Sequence, residues 1–371
     1  MVHEDKALLF PDQLVKARES LGLQPEEAAR SLGVDVQELR SWEKGASEPP
    51  VERLWNLAEL YHRSTDYFLR HMPALPEQLS FRLERRKAMQ DLPSEVRSVI
   101  VRFDELCRAE AELEGAIQRH RKILVEKVVG NYGPEEIANR ERRRLSLGEQ
   151  PIKNLRKLLI SQGVRIFMLP IPDISSNELS GLSWWHEAYG PCILLNSKNN
   201  SGRRTFTLAH EYAHLLCSDP PTACAFMLDI PEERFSNQFA AFFLMPERDL
   251  RNSFVEVVGS PGSLPNDSDL GGLAGRYGVS LEAMGRRLED LSLIPKGTTD
   301  SRIAEWQRWK PPFIRAARGP KWQGQLGEEF VSLALQAHSE EQISLSKLTH
   351  YLGQDVRTVL KVVEESKTKH R

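Results

Sequence analysis

From Pro11 to Leu69 the apolar positions recur at helical spacing in short runs, each stopped by glycine or proline. Pro11 or Asp12 opens a helix with Leu14, Val15, Ala17 and Leu21 inward, and Gly22 ends it. Pro25 opens a second, with Ala28, Ala29 and Leu32 on one face and Gly33 as its stop. Asp35 is placed to cap a third, which carries Val36, Leu39 and Trp42 and closes at Gly45. Pro49 and Pro50 lead into a fourth, with Val51, Leu54, Leu57, Ala58 and Tyr61. Two helices joined by a tight glycine turn make a helix-turn-helix, whose second helix can enter the DNA major groove.

Beyond residue 72 the pattern changes. Val96, Val99, Ile100, Phe103, Leu106 and Leu113 predict one long helix before Gly130 and Gly133, within a charged spacer. "PEEIANRERRRLSL" predicts a further helix, with Arg140, Arg142, Arg143 and Arg144 on a solvated face. Strands are expected at Val164–Leu169, Gly181–Trp185 and Cys192–Asn196. Ser201 caps a helix with Phe206, Leu208, Ala209, Ala213, Leu215 and Leu216 inward, and another runs from Pro231 to Met245 before Pro246 stops it. A helical pair turns at Gly278. "EQISLSKLTHYLGQDVRTVLKVVEE" predicts helix, glycine turn and helix again, a second helix-turn-helix-like module.

Composition adds limits. The 371 residues are 40% hydrophobic and 27% charged with net charge −2, ordinary values for a soluble chain of two or three domains. No apolar run is long enough for a membrane helix, and "MVHEDKALLFPDQ" lacks the pattern of a signal peptide. Cys107, Cys192, Cys217 and Cys224 suit a reducing cytoplasm, with Cys217 and Cys224 read as ordinary buried thiols. Residues 1–72 carry net charge −4 and residues 296–371 net +4, neither enough to establish a nucleic-acid surface. "RIAEWQRWKPPFIRAARGPKWQ" is basic and aromatic, and is expected to pack onto the preceding domain.

Candidate chemistry centres on "RTFTLAHEYAHLL". Positions four apart stack on one helix face, so His210 and His214 can aim two imidazoles at one metal ion. Glu211 is rotated by about 100° from His210 and can lie beside the metal as a general base. A third ligand is available on the next helix. Glu233 shares a stripe with Asn237, Ala240, Ala241 and Leu244, and the alanines permit close approach, whereas Glu232 lines up with Ser236 and Phe239. Asn237 can orient a ligand by hydrogen bonding. "GLSWW" is a plausible sheet edge for a substrate strand, with Trp184 or Trp185 on the open side. His186 is a candidate oxyanion donor, and Tyr212 is expected to point away.

Two resemblances follow from these motifs. "QPEEAARSLGVDVQELRSWEKGASEPPVERLWNLAELYHRSTDYFL" resembles the Cro/CI-type (XRE-like) helix-turn-helix family, which implies possible DNA contacts by Gln37, Glu38, Arg40, Ser41 and Lys44. "RRTFTLAHEYAHLL" followed by "EERFSNQFAAFFLMP" resembles the ImmA/IrrE family of metallopeptidases over roughly residues 135–290. That resemblance implies His210, His214 and Glu233 as Zn2+ ligands and Glu211 as general base. The expected fold is mostly α with a small β-sheet (α+β). A helix-turn-helix domain at 1–72 and a helical spacer at 73–134 precede a zincin-like metallopeptidase domain at 135–295 and a helical C-terminal region at 296–371.

The function so implied is a cytoplasmic zinc endopeptidase linked to transcriptional control, cleaving a helix-turn-helix repressor. DNA is a further possible partner, through residues 1–72. The competing reading is a DNA-binding regulator or antitoxin whose metal domain senses and does not cleave. A His, His, carboxylate set can also accept manganese or iron.

Overall fold

The computed structural model describes residues 4–69, 80–82, 86–88, 92–172, 179–217, 222–224, 231–306 and 321–369. Five helices form the N-terminal domain: α1 (Glu4–Ser20), α2 (Pro25–Leu32), α3 (Val36–Glu43), α4 (Val51–Leu60) and α5 (Thr65–Leu69). They close around Leu14, Ala17, Ala28, Leu39, Trp42, Leu57, Tyr61 and Phe68. Pro25 occupies the start of α2, and the Glu27 side chain accepts the Gln24 backbone N–H in a capping box. Asp35 accepts the Gln37 amide to begin α3. The first helix starts at Glu4, earlier than the expected opening, with Pro11 inside it.

Two short strands, β1 (Ser80–Arg82) and β2 (Arg86–Ala88), precede α6 (Ser94–Ala116), α7 (Pro134–Arg144) and α8 (Leu155–Ser161). Then come β3 (Arg165–Leu169), β4 (Gly181–His186), β5 (Gly190–Asn196), α9 (Ser201–Cys217), β6 (Thr222–Cys224) and α10 (Pro231–Leu244). The chain continues through α11 (Glu247–Val257), α12 (Asp267–Tyr277), α13 (Leu281–Asp290) and α14 (Thr298–Trp306). It ends in α15 (Lys321–Leu326), α16 (Glu328–Ser339), α17 (Leu345–Leu352) and α18 (Val356–Lys369). The architecture is mostly helical around one small sheet.

The sheet has the order β2-β1-β6-β4-β5-β3, with β4 antiparallel to β5 and β3 parallel to it. Side chains of a strand alternate between faces. Ile193 and Leu195 therefore enter the core built by α7 to α13, and Cys192 and Leu194 enter the core built by α6 and the C-terminal helices. β4 obeys the same rule, with Leu182 and Trp184 on the α6 side and Trp185 against the other core. The expected edge at "GLSWW" is corrected by β6, because Ser183 pairs with Thr222 and β4 lies inside the sheet. Trp184 is a core residue at 1% exposure, while Trp185 is half-buried under the Lys127 ammonium.

The long helix α6 is more than a spacer. Its Val101 enters the N-terminal core, and Val96, Ile100, Phe103 and Leu106 enter the core behind the sheet. It also carries buried charges that bind three regions together. Arg63, between α4 and α5, lies 2.9 Å from Asp104 and 3.6 Å from Glu105. The Ser64 amide donates to Glu105, the Tyr189 hydroxyl donates to Asp104, and His350 of α17 lies 3.6 Å from Glu105. Further along α6, Arg165 of β3 pairs with Glu110 and Glu114. Desolvating such charges costs several kcal/mol each, so the network adds little net stability over apolar packing. Its effect is positional, since each partner displaced would strand a buried charge.

The expected solvated arginine face of α7 holds for Arg140 and Arg143 and is corrected at Arg142 and Arg144. Arg142 is buried and donates to the carbonyls of Gly148, Gln150 and Phe243, which ties α7 to α10. Arg144 pairs with buried Glu141. Backbone carbonyls left open at loop and helix ends recruit these guanidinium groups, a tertiary effect that charge spacing does not carry. Trp306 is buried in the core around α9, and Trp322 packs behind the sheet. Trp309 lies outside the described residues.

Candidate metal centre

The helix α9 is apolar or small around most of its circumference and is buried from Phe206 to Leu216, as a central core helix must be. Its two histidines are therefore interior groups, at 0% and 4% exposure for His210 and His214. Their Nε2 atoms face each other at 3.2 Å. Glu233, on the first turn of α10 and fully buried, brings Oε2 to 3.0 Å from His210 Nε2 and Oε1 to 3.6 Å from His214 Nε2. One ligand atom from each residue lies within 4.8 Å of the others. Glu232 faces solvent. Ala240, at 0% exposure, leaves the room in which α10 approaches α9.

This donor set fits a divalent metal ion. Two imidazole nitrogens in such contact can both turn lone pairs inward when positive charge sits between them, and the buried carboxylate balances that charge. Burial acts to lower the pKa of His210, but the Glu233 carboxylate 3.0 Å away and the charge of Glu211 raise it above the usual histidine value. The pocket thus favours a cation. Asn237, half-buried on α10, places Oδ1 2.9 Å from His210 Nδ1. A proton on Nδ1 then donates to Asn237 and leaves the Nε2 lone pair directed at the centre.

Glu211 is buried at 1% exposure and turned toward the sheet, where Ser183 Oγ donates to its Oε2 at 2.8 Å. Gly181 makes that approach possible. A Cβ there would lie 2.7 Å from Thr207 Cγ2 and 3.2 Å from Glu211 Cγ, so only glycine lets β4 lie this close to α9. Sequence reasoning passed over Ser183 and Gly181. The two-residue period of "GLSWWH" was the available signal, since it puts both on the face opposite Trp184.

Other expected site residues fall elsewhere. His186 is on the opposite face of the sheet from Ser183, stacked on Tyr189 at 3.6 Å with its Nδ1 accepting the Ala188 amide. The strand period removes it from the metal side, a correction to its reading as an oxyanion donor. Tyr212 points away from the histidines and donates to Glu141. Cys217 is exposed at the end of α9, a correction to the buried-thiol reading, and the side chain of Cys224 lies outside the described residues. Gln37 and Glu38 on α3 and Lys44 at its C-cap are exposed; Arg40 pairs with Glu26 at 2.5 Å and Ser41 Oγ with Ser47 Oγ at 2.8 Å. Among the described residues no helix is long and apolar enough to cross a membrane.

Fold and site together define a helix-turn-helix domain joined to a peptidase-type domain with a buried candidate metal centre. Residues 161–289 match the peptidase family model described as the IrrE N-terminal-like domain, and residues 14–68 match the model described as Helix-turn-helix. The two matches stand in the order of the ImmA/IrrE architecture, the IrrE N-terminal-like peptidase match following the helix-turn-helix match. A search of curated proteins returned no match.

Proposed function

We propose that the protein is a cytoplasmic zinc-dependent endopeptidase linked to transcriptional regulation, with a helix-turn-helix repressor as substrate and derepression of stress or mobile-element genes as the outcome. The observation that carries this reading is the convergence of His210, His214 and Glu233 within 4.8 Å, with Glu211 adjacent on the same helix. A structural metal site has no need of a buried carboxylate beside its ligands. His210, His214 and Glu233 would hold the ion, and Asn237 would fix the His210 tautomer.

Bound zinc would supply Lewis acidity and bring the pKa of a water down to about 7. Glu211 would accept the proton of that water on a carboxylate oxygen and pass it to the leaving amine. Ser183 holds Oε2 of that carboxylate. The core helices around α9 exclude bulk water from the ligands.

The test is co-expression with the helix-turn-helix protein encoded beside this gene, in zinc-supplemented cells, using wild type and Glu211→Gln. Two repressor fragments by intact mass with wild type, and none with a Glu211→Gln protein that retains metal, is the expected result. A repressor left whole by both would favour the regulator reading for that partner, in which residues 1–72 bind DNA and the metal domain senses.

A further inference from the structure

The turn that defines the N-terminal helix-turn-helix recurs near the C-terminus. Leu32-Gly33-Val34-Asp35-Val36 is matched by Leu352-Gly353-Gln354-Asp355-Val356. In each case an eight-residue helix ends on a left-handed glycine, with φ 65° and ψ 39° at Gly33 and φ 60° and ψ 35° at Gly353. Only glycine adopts that conformation without strain. In each case the aspartate accepts an amide of the following helix, from Gln37 in the first and Thr358 in the second. Burial follows the same register. Ala28, Ala29, Leu32 and Leu39 are interior in one unit, and Leu348, Thr349, Leu352 and Val359 occupy the corresponding interior places in the other.

A third unit of the same build shows what the motif looks like when it serves the core alone. α12 ends on left-handed Gly278, Ser280 caps α13, and Leu273, Ala274, Tyr277 and Met284 are the interior residues. α13 is covered, however. A Cβ on Gly285 would lie 2.7 Å from Thr299 Oγ1 and 2.9 Å from Trp306, so no groove could receive this helix. α18 differs. Arg102 of α6 donates to the His350 and Tyr351 carbonyls at 2.8 Å each, and Tyr351 bonds Glu112, which anchors α17. α18 buries Val359 and turns Val356, Arg357, Leu360 and Lys361 outward.

We propose that α17 and α18 form a second DNA-binding helix-turn-helix, with α18 entering the major groove of duplex DNA. Arg357 and Lys361 stand where Gln37 and Ser41 stand in the first unit, and neither has a carboxylate within ion-pair distance among the described residues. Arg40 in the first unit is neutralised by Glu26, and its neighbour Glu38 is acidic. The outward face of the first two turns of α18 is therefore of one sign, as contact with a polyanion requires. A guanidinium reads guanine in the major groove, and small apolar groups contact thymine methyls. Val356, at 51% exposure, and Leu360, at 44%, are apolar groups placed for the second contact.

The experiment selects duplexes from a random 30-base-pair pool on the full-length protein, then measures affinity for a recovered duplex as a function of salt. Reversal of both charges, Arg357→Glu with Lys361→Glu, is expected to weaken binding about tenfold or more and to reduce the salt slope by about two. A control with the same net change on exposed Lys153 and Lys157 should stay within about twofold. Arg357→Ala, an exposed substitution that leaves the fold intact, should also relax the selected sequence at one position. Recovery of no duplex, equal loss in the lysine control, or an affinity indifferent to α18 would overturn the proposal. So would unchanged DNA binding with self-association lost in Leu360→Glu, which would assign the face to a protein contact.

Discussion

Ser183 and Glu211 meet at 2.8 Å, a hydroxyl of the central strand donating to a carboxylate of the histidine helix. Both are buried, so the bond is shielded from water and holds one rotamer of Glu211. On the peptidase reading Ser183 is a positioning residue. Ser183→Ala should lower the turnover of repressor cleavage by about tenfold, the effect of losing a hydrogen bond of about 1.4 kcal/mol to a charged group. KM and metal content should not change. A variant that loses metal, or that cleaves at the wild-type rate, would show that the bond does not position the base.

Asn237 acts on the ligand set through His210 Nδ1. Asn237→Ala is expected to weaken metal binding by about 10–100-fold, whereas Glu211→Gln should leave it within a few-fold. Competition with a chromogenic chelator separates the two. Equal affinity in wild type and Asn237→Ala would mean that the amide does not set the histidine tautomer.

Metal removal should destabilise the fold locally, because the ligands bridge α9 and α10 and lie within one core. Metal bound at a hundred times its Kd stabilises the native state by about 2.7 kcal/mol. Chelation should lower the thermal midpoint of wild type, and Glu233→Gln should remove that difference. A midpoint indifferent to chelator in a protein shown to contain metal would place the ion elsewhere.

Arg63 and Asp104 lock the N-terminal domain to α6 at 2% and 0% side-chain exposure. Arg63→Ala leaves Asp104 and Glu105 with one guanidinium fewer, a change expected to cost about 3–5 kcal/mol. Limited proteolysis should then release the N-terminal domain before the peptidase domain is cut. Simultaneous digestion of both would indicate that other contacts hold the junction.

The same cluster predicts sensitivity to acid. Burial alone would raise the pKa of Glu105, but the His350 imidazole 3.6 Å away and the charges of Arg108 and Arg63 hold it well below the usual carboxylate range. A depressed pKa contributes stability that is complete above the unfolded value of about 4.3 and is lost as pH falls toward the folded value. Glu105→Gln should therefore be less stable than wild type near neutrality, and the gap should narrow below pH about 4. A gap constant with pH would remove Glu105 from the acid response.

Much of this protein is legible along the chain. Left-handed glycines, aspartate caps and the i, i+4 spacing of His210 and His214 are local facts, set by backbone sterics and the helical period, and their elements form where the sequence expects them. The α10 stripe also singled out Glu233 over Glu232, since two alanines mark where helices come close. What the tertiary structure decided depends on which face each element finds covered. β6 turned an expected edge into an interior strand, and the strand period then sent His186 to one side of the sheet and Ser183 to the other. Arg142 and the charges of α6 resemble surface groups in sequence, because burial of a charge is settled by partners distant in the chain. Local propensity cannot register those partners; packing and desolvation do.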